Sequence, residues 1–82
     1  MGDAVDKIRD EYSAELNRAM AEYFERIAPV DRAFIRGEIT ELDCQAQRNQ
    51  ISDDHAKRVD AARVTYDQAW WRAISDMRKG RA

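Results

Sequence analysis

The sequence predicts an all-α protein built on two long amphipathic helices, and three observations indicate this fold class. The 82 residues include one proline and three glycines, so few positions interrupt a helix. No stretch alternates apolar and polar residues with β-branched enrichment, so strands are not predicted. Apolar residues instead recur at steps of three and four in both halves of the chain. We expect one helical domain over residues 1–82, near the lower size limit for independent folding.

The first predicted helix, segment one, runs from about Asp3 to Ile27. Asp3 can cap its N-terminus, and the acidic side chains of the first turns lie at the positive end of the helix dipole. Pro29 is expected to end the helix, because the residue before a proline is disfavoured in the α region. The predicted apolar stripe consists of Val5, Ile8, Tyr12, Leu16, Ala19, Met20, Tyr23, Phe24 and Ile27.

Two short helices are predicted in the centre. Segment two covers residues 30–36, and Gly37 can end it in the left-handed conformation. Thr40 is a predicted N-cap for segment three, which covers residues 41–49. The sequence from Ser52 to Asp54 is typical of another helix start. Segments three and four can also form one kinked helix.

Segment four, the second long helix, covers residues 53–79, with Gly80 predicted to close it. Its apolar stripe consists of Val59, Ala62, Tyr66, Ala69, Trp70, Ala73, Ile74 and Met77. The stripes of segments one and four align if the two helices pack antiparallel with Tyr12 opposite Trp70, Leu16 opposite Tyr66 and Tyr23 opposite Val59. Charge favours the same orientation, because residues 1–28 hold seven acids and four bases whereas residues 51–82 hold five acids and seven bases.

A second, narrower stripe on segment four is the candidate partner interface. Trp70 and Trp71 are adjacent and therefore about 100° apart around the helix, so both cannot face segment one. Trp71 aligns with Val64 one heptad earlier and with Arg78 one heptad later. Three alternatives can cover this stripe: the short central helices, a second copy in a homodimeric four-helix bundle, or another protein.

The residues that could act as catalytic groups or metal ligands form no recognisable catalytic or metal-binding motif. His55 is the single histidine and Cys44 the single cysteine. A zinc site or a nucleophile pair needs more converging ligands or an orienting third group. We therefore predict no catalytic residue, no metal site, no cofactor and no small-molecule ligand.

Residues 37–40 (Gly-Glu-Ile-Thr), followed by Asp43 and Arg48, resemble the short oligomerisation motif called SHOCT. Cys44 stands where that motif prefers an aromatic residue. The resemblance implies self-association through a short helix, and it covers only this central stretch.

Residues 8–11 with Glu25 and Arg26 resemble the first helix of the helical chorismate mutases, which are dimers of this size. That resemblance implies arginines, such as Arg9 and Arg26, holding an anionic substrate. The downstream Asp-x-x-Arg-Glu pattern of that family is missing, and Pro29 lies where its helix continues.

We expect a non-enzymatic helical protein–protein interaction module, an adaptor or inhibitor of the kind that phages and mobile elements encode. The single cysteine, the lack of a signal peptide and the lack of a transmembrane run favour the cytoplasm. The alternative is a small DNA-associated regulator, which would use the central helices or the candidate contacts Arg78, Lys79 and Arg81. A net charge of −2 argues against general nucleic-acid binding.

Overall fold

The structure, a computed structural model that describes residues 3–80, is a hairpin of two α-helices. Helix α1 spans Asp3–Ile35 and helix α2 spans Glu41–Gly80. The principal extents of the Cα trace are 66 × 16 × 8 Å, so the hairpin is a single layer, two helices wide. The prediction of an all-α fold with two long amphipathic helices is confirmed.

In the turn between the helices, Gly37 and Thr40 have the C-cap and N-cap roles that the sequence predicted. Gly37 has a φ of 76°, and the backbone N–H groups of Gly37 and Glu38 donate to the carbonyls of Phe34 and Ala33. This is the hydrogen-bond pattern of a Schellman C-cap. Thr40 accepts a bond from the Asp43 N–H through its Oγ1 at 3.1 Å, which caps α2.

Replacing Gly37 with alanine is expected to lower the free energy of unfolding by about 1 kcal/mol, because an L side chain is strained at this φ. Nothing lies within 4 Å of the added Cβ, so the cost is that of the backbone alone. Gly80→Ala is the matched control, since that site is equally open but has no positive φ. Urea denaturation measures both, and equal effects would contradict the prediction.

The prediction that Pro29 ends the first helix is wrong, because α1 continues through it to Ile35. Pro29 removes one helical hydrogen bond, the one that its missing N–H would donate to Glu25. The next residue, Val30, is buried with Ile27 and Ile51. We attribute the continuity of α1 to this packing, because it keeps Val30 in the interhelical seam and so offsets the local cost.

The separate short helices of the central region are also absent from the described chain. Segment two is the last part of α1, and segments three and four form one helix, as the kinked-helix alternative allowed. Because the central residues extend the two long helices, they do not fold back over Trp71, which is 62% exposed. Of the two surfaces named for the DNA-regulator alternative, the separate central helices are therefore absent, and the basic residues near the C-terminus are the other.

The interhelical register differs from the predicted one by about one helical turn. Tyr12 stacks on Tyr66, with ring centroids 4.5 Å apart, and Tyr23 lies against His55 at 5.0 Å. The predicted partners were Trp70 and Val59, four residues further along α2. A direct turn of residues 36–40 fixes the register, whereas the prediction assumed additional helices between the long ones.

The core is concentrated at the closed end of the hairpin. Ile27, Val30, Cys44 and Ile51 form a buried cluster, with Tyr23 and Ile39 packed against it. Towards the open end the seam is only half-buried, and all eight residues of the predicted α2 stripe have intermediate exposure. The stripe predicted for α1 holds except at Met20 and Phe24, which are exposed.

Candidate interaction surfaces

The predicted partner-interface residues lie on the side of α2 that faces away from α1. Val64 is 50% exposed, Trp71 is 62% exposed, and Arg78 is exposed as well. Heptad spacing places the three side chains in one row, which we call the Trp71 stripe. The structure therefore brings these three residues together on one open surface.

The Trp71 ring is held in place by its neighbour. Trp70 is half-buried in the seam, and its ring meets that of Trp71 edge-to-face, with centroids 4.9 Å apart and planes at 86°. Edge-to-face pairs are favourable aromatic arrangements. A ring that already rests against a half-buried neighbour loses less conformational entropy when a partner binds through it.

Two of the three candidate nucleic-acid contacts are in the last turn of α2. Arg78 and Lys79 are both exposed there, at the negative end of the helix dipole. Arg81 lies outside the described residues. Two exposed basic side chains in one helical turn are also what the helix dipole alone favours at this end.

One side of the hairpin carries ion pairs between the helices. Arg58 bonds to Glu15 at 3.0 Å and also to Glu22, and Arg26 bonds to Asp54 at 3.0 Å. Hydrogen bonds from Arg18 and then Arg58 lower the pKa of Glu15, and bonds from Arg26 and then Gln50 lower the pKa of Asp54. Asp54 and Arg58 lie four residues apart on α2, and each forms its ion pairs with α1 across the seam.

The lowered pKa values of Glu15 and Asp54 predict that the stability of the fold depends on pH. The stabilisation that these two ionised carboxylates contribute is present above their usual pKa values of 4.5 and 3.8. It is lost as the pH falls through their lower folded-state pKa values. We expect Arg58→Met to make the acid-induced fall in melting temperature shallower, because Glu15 loses one cationic partner. Arg63→Met, an exposed change on the same helix, is the control. Melting curves at pH values from neutral down to about 2 test this, and parallel curves for wild type and Arg58→Met would contradict it.

A groove of about 420 Å³ lies on the same side as the ion pairs. It exists because α2 presents the small side chains of Ala61, Ala62 and Ala69 there, while the stacked Tyr12 and Tyr66 rings line it. The nearby charged groups Glu15 and Arg58 already bind one another. The groove therefore offers mainly shape and apolar area.

The cysteine and the histidine are far apart. Cys44 is buried in the cluster at the closed end, whereas His55 is half-buried against Tyr23. Eleven residues of one helix separate them, or about 16 Å. Among residues 3–80, no group of three or more His, Cys, Asp or Glu side chains is arranged to hold a metal ion.

A further exposed surface was missed at the sequence level. Met20 and Phe24 are 46% and 61% exposed, although their spacing placed them in the α1 stripe. The sequence did contain a sign of this exposure, because the predicted α1 stripe was wider than the face that one neighbouring helix can cover. At about 100° per residue, Met20 and Phe24 lie to one side of the direction defined by Ala19, Tyr23 and Ile27.

The fold and its surfaces define a class: an all-α helical hairpin with open apolar stripes on both helices. Comparison with protein-family models, with curated proteins and with solved structures gave no match to this chain. Within the described residues, neither helix has a segment apolar and long enough to cross a membrane.

Proposed function

We propose that the chain is a non-enzymatic helical protein–protein interaction module, an adaptor or inhibitor that works in the cytoplasm through the Trp71 stripe. The observation that carries this proposal is the exposure of Trp71, 62%, on a helix face that α1 does not contact. Tryptophan and arginine are enriched among the residues that dominate binding energy at protein interfaces. Trp71 and Arg78 are thus the expected anchors, and Val64 extends the apolar area one heptad before Trp71.

The proposal includes self-association into a homodimeric four-helix bundle. The described chain buries only five hydrophobic residues, and none of its large side chains is fully buried. Small chains that bury so little commonly gain stability by oligomerisation. A dimer would supply the missing core and leave a helix face for a different protein partner.

Site-specific photo-crosslinking tests the Trp71 stripe. A photoreactive phenylalanine analogue replaces Trp71 in one sample and the exposed Gln68 in the control, each expressed in the native cells. We expect an adduct with one protein at position 71 and none at position 68. The purified partner should then bind Trp71→Ala about 30-fold more weakly, as expected for loss of an interface anchor worth about 2 kcal/mol. Unchanged affinity of Trp71→Ala, or no adduct specific to position 71, would contradict the proposal.

A further inference from the structure

The single hairpin exposes more surface than a compact protein of its mass. Its accessible surface is 6409 Å², whereas a folded monomer of this mass exposes about 5,000 Å². The excess is roughly 1,400 Å². A standard protein–protein interface takes about 800 Å² from each partner. One well-packed interface with a second molecule is therefore enough to account for most of the excess.

An uncharged row on α1 is suited to such an interface. We call it the Phe24 seam, and it consists of Ser13, Asn17, Met20, Phe24 and Ala28. The steps of four, three, four and four are those of a helix-packing seam. Charged residues make up 37% of the chain, and none of them lies in this row.

The ion pairs leave this side of the hairpin open. At about 100° per residue, Glu15 and Glu22 project to one side of the seam between α1 and α2, and Met20 and Phe24 project to the other. Arg58 and its partners thus occupy the polar side. The Arg48–Asp31 pair lies near the turn, beyond the end of the Phe24 seam.

We propose that the Phe24 seam binds the Phe24 seam of a second copy, so that two hairpins form an antiparallel four-helix bundle about a two-fold axis. In a two-fold dimer, both copies use the same surface patch to contact each other. With the axis between Met20 and Phe24, each Phe24 ring lies against Met20 of the second copy. The larger side chains then meet at the centre, and Ser13, Asn17 and Ala28 flank them.

Every copy of the chain carries the same excess of exposed surface, roughly 1,400 Å². One interface about a two-fold axis reduces that excess on both copies at once. The second copy is therefore favoured as the occupant over an unrelated helix, which would cover the excess of one chain alone.

The dimer leaves both Trp71 stripes open. The Trp71 stripe faces away from α1, and the Phe24 seam lies on a flank of α1, so the two surfaces do not overlap. A dimer would present two copies of the Trp71 stripe and bind a repeated or dimeric target by avidity. The inference rests on the self-association part of the proposed function and is independent of the part assigned to Trp71.

Sedimentation equilibrium of the full chain tests the seam. Wild type is expected to have twice the mass of one chain at micromolar concentration. Phe24→Glu should weaken dimerisation by about 100-fold or more, because each dimer loses two buried phenylalanines. Val64→Glu is the matched control, since it places the same acid on a similarly exposed apolar site of the Trp71 stripe.

The outcomes separate the two surfaces. A monomeric wild type, or a dimer broken by Val64→Glu and retained by Phe24→Glu, would overturn the inference. Neither result bears on whether a crosslinker at position 71 captures a different protein. Circular dichroism checks that Phe24→Glu remains helical, and if it unfolds, the milder Met20→Gln is measured in its place.

A second measurement needs no substitution. Isotope-filtered NOE spectra of an equal mixture of ¹³C-labelled and unlabelled wild-type protein report contacts between copies alone. We expect a cross-peak from the Met20 ε-methyl group to the Phe24 ring. Intermolecular peaks from the Trp71 indole without any from Met20 or Phe24 would assign the dimer to the other surface and overturn the inference.

Discussion

Replacing Ile51 with alanine is expected to lower the free energy of unfolding by about 2–5 kcal/mol, a large share of the stability of a small domain. Ile51 is 5% exposed and packs with Ile27, Val30 and Cys44 at the closed end of the hairpin. The hairpin has only one interhelical seam, so few neighbouring side chains can move in to fill the space left by the lost atoms. Much of the chain should therefore unfold at modest urea concentration.

Leu42→Ala is the control for this prediction. Leu42 lies in the first turn of the same helix and is 78% exposed, so its truncation should change the free energy of unfolding by no more than about 0.5 kcal/mol. Both variants are compared with wild type at one fixed protein concentration, because a dimer would couple stability to concentration. A loss at Ile51 no larger than that at Leu42 would show that the closed end is not the core.

The sequence predicted the helices and their faces because both depend on local periodicity. All eight residues of the predicted α2 stripe became half-buried, including Val59, Tyr66 and Met77 at its beginning, middle and end. Gly37 and Thr40 were also predicted in their roles, since C-caps and N-caps are set by a residue's own backbone and side-chain preferences.

Local periodicity could not predict whether α1 continues through Pro29, nor the register in which α1 packs against α2. Whether a helix continues through a proline depends on what the following turn packs against, and Val30 meets partners from α2. The register in turn depends on the length of the connection. Counting separate short helices instead of a direct turn displaced the predicted partner of Tyr12 from Tyr66 to Trp70.

The candidate surfaces were predictable in part. The angle between adjacent residues required that Trp71 point away from α1, and it does. What covers Trp71 is a property of other elements, so periodicity left three alternatives open. Phe24 was placed in the core stripe because spacing of three and four describes a broad arc, and only the packed geometry shows which edge of that arc is exposed.

Replacing Pro29 with alanine is expected to raise the free energy of unfolding by about 1–3 kcal/mol. Proline in a helix interior costs about 3 kcal/mol relative to alanine, through the missing hydrogen bond and the steric conflict with the preceding turn. Pro29 is exposed, so little packing is lost with its ring. The alanine would restore the bond to the Glu25 carbonyl and strengthen the part of α1 that holds Val30 in the core.

Ser75→Ala separates this effect from a general gain in helix propensity. Ser75 is exposed in α2 and lies outside the Phe24 seam, and its replacement should add only about 0.5 kcal/mol. Urea denaturation of both variants at one concentration gives the comparison. If α1 ended before Pro29 in solution, Pro29→Ala would gain no more than Ser75→Ala, and helicity measured by circular dichroism would not increase. A larger gain, with increased helicity, is the result expected of a continuous helix that carries one interior proline.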